Sequence, residues 1–399
     1  MLGNSLGGQA YGVVEALSER IGPRPAGSAE EKRAIDYVSL KLEDVCDQVR
    51  QLPVTGIPSA FPPHILLLAG AASLAYCVSE LVESPWSMFV FLGAFAVVPR
   101  AVSIIRQRAS ADSDRSSTNV QGVQRASGQP EATVVLCAHV DSARAARVPG
   151  DAWTRLQRLL VNSMLPFAVA MSAVAGLRWL DMYWPFAPSR VWPALRVIAL
   201  VPAVGFVLFE VFYSYVSRGS AFSPGANDNA SGVGAVVALA KRFREAPPAH
   251  LQMQYLLFTG EESGMVGSRR FVKEADLDKS RTFVINLDMV GSGKQICYVR
   301  GAQLLPPRFT DRGLNALLRE ANPAIRAHYY WMGNSDFDSF LARGFRATSL
   351  CVRGDARSEE VYHTERDTLD RVSADTLQMV AETAERTVRL LDEQVARGK

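Results

Sequence analysis

Residues 256–268 read LLFTGEESGMVGS. An apolar run suited to a buried strand stops at Thr259-Gly260 and delivers two adjacent glutamates, Glu261 and Glu262, before a small-residue segment restarts as a helix. Two carboxylates side by side at the end of a buried strand are costly unless something positive holds them. A solvated pair favouring a helix N-terminus is one reading of the stretch. A metal, with one glutamate as ligand and its neighbour as proton acceptor, is the other, and it requires ligands from elsewhere in the chain.

Strand and helix signals alternate on both sides of this segment. Toward the C-terminus, residues 281–287, 295–300, 325–331 and 347–352 read as strands. Helices at 309–320 and 335–342 separate them, and a long helix starts near Ser373. Toward the N-terminus, the small-residue loop 224–232 leads into a helix ending near Phe243. Residues 45–54, 119–125 and 132–138 read as strands, the first following an amphipathic helix over 28–42. The pattern predicts an α/β fold, a mostly parallel central sheet flanked by helices, with ligands at the C-terminal ends of the strands.

Polar groups stranded after apolar strands are His139, Asp141, Asp228, Glu261, Glu262, Asp288 and His363. Singly, each has a plainer use: His139 as a core histidine, Asp288 capping a turn, His363 at the surface. Jointly they form a nitrogen and oxygen ligand set suited to zinc or a similar divalent ion, and too large for one tetrahedral centre. Two ions sharing one carboxylate accommodate it. His64, His250 and His328 fit no such pattern.

These segments resemble the co-catalytic di-zinc aminopeptidases of metallopeptidase family 28, whose relatives include glutamate carboxypeptidase and glutaminyl cyclase. The matching motifs are AHVDS at 138–142, PGANDNASG at 224–232, FTGEESGMVGS at 258–268, INLDMVG at 285–291 and YHTERDTLD at 362–370; IGPRPAGSAEEKRAIDYVSLKL at 21–42 is similar to the family's opening helix. The resemblance implies two zinc ions. His139 and Asp288 would hold one, Glu262 and His363 the other, and Asp228 would bridge them. It also implies that Glu261 is the general base acting on a metal-bridging water. Asp141 would fix the tautomer of His139 through the imidazole's other N–H, and Asp367 would orient the His363 loop. Asn334-Ser335-Asp336 aligns with a segment where some relatives carry a tyrosine that stabilises the tetrahedral intermediate, which makes Asn334 and Asp336 further candidates. Unlike its relatives, this chain separates the first histidine motif from the bridging aspartate by a long insertion.

The insertion brings in a different composition. The chain is 48% hydrophobic, and the excess is concentrated in 65–82, 86–105, 159–177 and 197–216. A membrane span needs about 20 apolar residues, so these read as two transmembrane helical hairpins, with pairs of buried helices in an all-soluble domain as the alternative. Trp179, Tyr183 and Trp184 suit an interface at the second tip, and Glu210 is an intramembrane acid and hence a functional candidate. The resulting division is 1–61, 106–150 and 218–399 for the catalytic domain, with hairpins at 62–105 and 151–217. Arginines 100, 106, 108, 144, 147, 155, 158 and 218 flank the spans on the domain's side, so the positive-inside rule predicts an integral membrane protein with a cytoplasmic catalytic domain. The absence of a signal-peptide pattern and five scattered cysteines agree with that side.

A net charge of +3 does not argue for nucleic acid. The expected activity is a membrane-embedded zinc-dependent exopeptidase, an aminopeptidase acting on a peptide substrate associated with the lipid bilayer, and a homo-oligomer would fit. The alternatives are a di-zinc amide hydrolase or glutaminyl-cyclase-like enzyme acting on a membrane-associated substrate, and a non-catalytic receptor or scaffold.

Overall fold

The computed structural model describes residues 5–58, 113–145, 173–174, 176–188, 190–195, 221–302, 307–330, 334–354 and 361–398. The chain divides into two compact units, Met1–Ala60 with Ser113–Ala145 and Ala221–Lys399 forming one, and Phe61–Asp112 with Ala146–Ser220 forming the other.

The described residues of the first unit form nine strands: β1 Gln48–Thr55, β2 Ser116–Gln124, β3 Ala132–His139, β4 Leu251–Phe258, β5 Thr282–Leu287, β6 Gln295–Ala302, β7 Arg308–Phe309, β8 Arg326–Tyr330 and β9 Arg346–Arg353. They lie in the order β1-β2-β4-β3-β5-β9-β6-β7, with β8 alongside β6. Strands β4, β3, β5 and β9 are parallel neighbours, and β8 is parallel to β6. The β1–β2, β2–β4, β6–β7 and β6–β9 pairs are antiparallel. The sheet is therefore mixed rather than mostly parallel. A parallel neighbour needs a long crossover, whereas short links reverse the chain. The links β2–β3 and β5–β6 are short and contain no helix, and this turns β2 and β6 against the central strands.

Both faces of the centre are covered, which explains why β3, β4 and β5 are apolar almost throughout. The pleat sends alternate residues of β4 to opposite sides. Tyr255 and Leu257 join a large core with residues of helices α1 Leu6–Glu15, α2 Ala29–Glu43, α3 Ser231–Glu245, α5 Arg312–Ala321 and α7 Ala374–Ala396. Leu256 and Phe258 face a smaller core closed by α4 Val266–Glu274 and α6 Phe337–Leu341. There Phe258, Phe271 and Phe340 form a tilted aromatic trio with centroids 5.8–6.2 Å apart.

Helix α1 has no counterpart in the sequence reading, because Gly7, Gly8 and Gly12 lower its helical propensity. Its apolar stripe, Ala10, Val13 and Val14, is buried, and Ser5 caps it by accepting from Gly8 N. Glycine permits the close packing here: a Cβ on Gly7 would lie 2.1 Å from Ala374 O, and one on Gly234 of α3 would lie 2.5 Å from Ala10 O.

The localisation inferred from hydropathy requires correction. Among the described residues no helix is long and apolar enough to cross a membrane. The stretches 65–82, 86–105 and 197–216, with Glu210, lie outside the described residues, as does most of 159–177. Where the second expected hairpin is described, the helix at 176–183 does not end at Leu177 but runs on through Arg178 and Asp181. Asp181 accepts from Phe186 N, Ala187 N and Trp192 Nε1, so a charged side chain organises this turn. An integral membrane protein with a cytoplasmic catalytic domain and a bilayer partner is therefore not carried forward.

Substituting Gly234→Val should force α1 away from α3 and cost about 1–3 kcal/mol of stability, as overpacking of a close contact does. Urea denaturation measures this directly. A midpoint equal to wild type would show that α1 is not seated on α3.

Candidate metal centre

The sheet delivers its polar groups to one end. His139 is the last residue of β3, and Asp288 follows β5 directly. Gly260, in the left-handed region at φ 67°, turns the chain after β4 so that Glu261 and Glu262 leave the strand together. Asp228 comes from the loop before α3, and His363 from the loop before α7.

These side chains converge on Asp228. Its Oδ1 lies 3.3 Å from His139 Nε2, and its Oδ2 lies 3.2 Å from His363 Nε2. Glu262 Oε2 is 3.2 Å from the same His363 nitrogen, and Asp288 Oδ1 is 3.8 Å from His139 Nε2, beyond hydrogen-bond range. Two triads result, His139/Asp228/Asp288 and Asp228/Glu262/His363, each with ligand atoms within 4.8 Å of one another. Glu261 joins His139 and Glu262 in a third such group.

The donor set fits divalent cations. Glu262 Oε1 and Asp288 Oδ1 are buried with no hydrogen-bond partner in the structure. Buried carboxylate oxygens without a donor are destabilising, and a cation satisfies them. Burial lowers the basicity of both imidazoles, yet their carboxylate neighbours outweigh it and raise both pKa values well above the ordinary histidine value. Conversely, burial would raise Asp228, but His139 and His363 hold it below the usual carboxylate range.

Two further carboxylates fix the loops. Asp141 accepts from Glu261 N and Glu262 N, both at 3.1 Å, so it clamps the glutamate turn. Its backbone carbonyl, not its carboxylate, is the close partner of His139 Nδ1, at 3.1 Å against 3.6 Å. Asp367 accepts from Asn227 N at 2.8 Å and Asp228 N at 2.9 Å, so it anchors the Asp228 loop. Burial pushes the Asp367 carboxyl up to about 7 despite these bonds. Asp336 is fully buried behind the site with both carboxylate oxygens unpartnered, and burial lifts it to about 7. Asn334 is half-buried on the loop before α6, and no described hydrogen bond ties it to the cluster.

Several contributors were not singled out by sequence reasoning. Asn227 Oδ1 accepts from Gly291 N, Asn229 Oδ1 from Met289 N, and Ser231 Oγ from Val290 N. These bonds stitch the Asp228 loop to the Asp288 loop, and the sequence signal was the polar run NDNAS itself. Tyr362 stacks on His363 with ring centroids 3.8 Å apart and is 48% exposed. Desolvation of its hydroxyl and the fields of Asp228, Glu262, Glu261 and Asp288 raise the phenol's pKa, so it stays a protonated donor above the cluster.

Residues 213–388 match the profile of Peptidase family M28. The matched range contains Asp228, Glu261, Glu262, Asp288 and His363, while His139 and Asp141 lie outside it. Aminopeptidase YwaD of Bacillus subtilis (strain 168) is 30% identical over 173 residues, 40% of this chain and 36% of that protein. The probable lipoprotein aminopeptidase LpqL of Mycobacterium tuberculosis is 28% identical over 185 residues, 39% and 37% of the two chains. The chain thus spans little more than a third of the length of these curated relatives. Among solved structures, a zinc aminopeptidase from Bacillus subtilis superposes with TM-score 0.55 at 16% identity, covering 96% of this chain and 94% of that one. The glutaminyl cyclase of Tannerella forsythia gives 0.55 at 14% identity, covering 96% and 98%. These likenesses show an α/β fold like that of zinc aminopeptidases.

Glu31, buried beside the site, accepts from Gly27 N, Ser117 Oγ and Thr259 Oγ1, and so ties α2 and β2 to the turn carrying the glutamates. Burial, with the nearby Asp141, pushes its carboxyl up from 4.5 to about 7. A carboxyl raised on folding favours the folded state while protonated, and that stability is lost as pH rises from near the unfolded value through the folded one. Glu31→Gln should therefore flatten the fall in stability between about pH 5 and 7 by on the order of 1–3 kcal/mol. Urea midpoints across that window measure it, and identical slopes in the two proteins would contradict it.

Proposed function

We propose that this chain is a zinc-dependent exopeptidase, an aminopeptidase whose two ions share Asp228. The observation that supports the reading is the carboxylate of Asp228 standing between two ligand triads, with one oxygen toward His139 and the other toward His363. His139 and Asp288 would complete one position, Glu262 and His363 the other. When bound, the ions supply Lewis acidity toward a substrate carbonyl and lower the pKa of a water.

The protein's own groups carry the proton and the orientation. Glu261 is the general base in this reading. Burial raises its pKa, His139 opposes, and Glu262, Asp336 and Asp288 add to the rise. A carboxylate raised in this way accepts a proton from the attacking water readily and can hand it to the leaving amine. Its direction is fixed by the bond from its backbone N–H to Asp141. Tyr362, stacked on His363, would offer a phenolic O–H toward negative charge developing on the carbonyl oxygen. This role falls to Tyr362 rather than to Asn334.

A cyclising reaction of the glutaminyl type is the second reading. It is favoured by the likeness of the whole fold to a glutaminyl cyclase. A non-catalytic scaffold is disfavoured because both triads and the base are complete.

Hydrolysis of free-amine and N-blocked peptide reporters by the zinc-loaded protein, alongside N-glutaminyl peptides, tests the proposal. Turnover of free-amine reporters alone is expected, and Glu261→Ala should abolish it with zinc retained. Cyclisation of glutaminyl substrates without hydrolysis would move the assignment to the second reading. Tyr362→Phe should lower kcat by roughly 100-fold with KM little changed, as loss of an oxyanion donor does; an unchanged kcat would remove Tyr362 from the reaction.

A further inference from the structure

Arg24 is among the largest fully buried side chains of the protein, with no exposed surface. A buried guanidinium ordinarily faces a carboxylate. Here every described hydrogen bond of the side chain goes to a backbone carbonyl. Nε donates to Val140 O at 2.9 Å, and Nη2 to Gly225 O at 2.9 Å. Nη1 lies within 2.7–3.0 Å of Pro224 O, Leu17 O and Gly22 O. Its backbone is held as well, with Arg24 N donating to Ser142 Oγ and Ser142 N to Arg24 O. Ser142 Oγ donates in turn to Ser223 O at 2.8 Å.

Two of these contacts matter most. Val140 follows His139, and Pro224-Gly225 leads into the loop that carries Asp228. One planar, forked cation therefore spans the two segments that meet at the His139–Asp228 contact. The packing leaves no slack: a Cβ on Gly225 would lie 2.7 Å from Ser142 Cβ and 3.0 Å from Arg24 Nη2. The cation also acts at longer range. Burial lowers its pKa to about 10, opposed by Asp367, Asp141, Asp228 and Glu31, so it remains charged at neutral pH behind the acidic cluster.

We infer that Arg24 is a positioning residue of the metal centre: its guanidinium fixes the spacing of the His139 and Asp228 segments and supplies a permanent positive charge behind their carboxylates. Only a rigid fork can serve carbonyls on three separate segments at once. Lysine keeps the charge but concentrates its donors at one flexible point. The inference rests on the proposed metal reading.

The experiment measures zinc affinity by chelator competition for wild type, Arg24→Lys and Arg24→Met, with urea denaturation of each metal-free protein and kcat and KM of each loaded one. Arg24→Met should weaken zinc binding by about 10- to 100-fold, as removal of a group that orients ligands does, and should lower kcat more than KM rises. Arg24→Lys should recover part of the affinity through its charge. Should Arg24→Met fail to fold, Ser142→Ala, which removes the side-chain bonds to Arg24 N and Ser223 O and leaves the guanidinium in place, should still weaken zinc binding in the folded protein. Folded variants that all bind zinc as wild type does, with only urea midpoints lowered, would overturn the inference and leave the metal reading standing. Wild type that binds no zinc would overturn both.

Discussion

The structure depends on holding like charges together. Asp228, Glu262 and Asp288, with Glu261 beside them, crowd around two imidazoles at the end of one sheet. In a low-dielectric setting such a cluster repels itself unless cations and hydrogen bonds compensate. Asp228 is the point at which the compensation is shared, because its two oxygens face different histidines. Its neighbours are arranged around that sharing. Asp367 and Asp141 accept backbone N–H groups from the ligand loops, Asn227, Asn229 and Ser231 join the Asp228 loop to the Asp288 loop, and Arg24 ties two loops from behind.

This rigidity carries a conformational cost that the rest of the fold bears. Met265, Met289 and His363 occupy the left-handed region at φ 60°, 54° and 52°, uncommon for residues with a side chain. All three lie on the loops that present the cluster: Met265 in the turn after the glutamates, Met289 next to Asp288, and His363 itself. Strain of this kind persists when surrounding structure over-determines it and gathers at functional sites. The central strands β3, β4 and β5, buried on both faces, provide the support. Affinity for metal and the precision of Glu261 are thereby linked to the packing of the sheet.

Much of this was legible in the sequence because buried strands end abruptly. The apolar runs before His139, Glu261 and Asp288 have one-dimensional signatures, and each stops at a polar residue that a buried strand end would not otherwise tolerate. What escaped was carried by contacts distant in sequence. Arg24 lies between two prolines in the loop before α2, and Glu31 lies among charged residues in that helix's first turn, so nothing local separates either from a solvated surface. The bonds from Glu261 and Glu262 to Asp141 join segments with no sequence proximity, and they add to the expected partnership of Asp141 with His139 Nδ1. Helix α1 was hidden by the glycines that let it pack closely. The mixed sheet arose where short links replaced helical crossovers. Hydropathy, for its part, registers apolar composition without the charged turn that Asp181 organises.

The most direct test of the shared-carboxylate account is anomalous diffraction from zinc-loaded crystals. The account predicts two zinc peaks flanking Asp228, one beside His139 and Asp288 and the other beside Glu262 and His363. A single peak, or peaks that leave Asp228 outside their ligand sets, would contradict it.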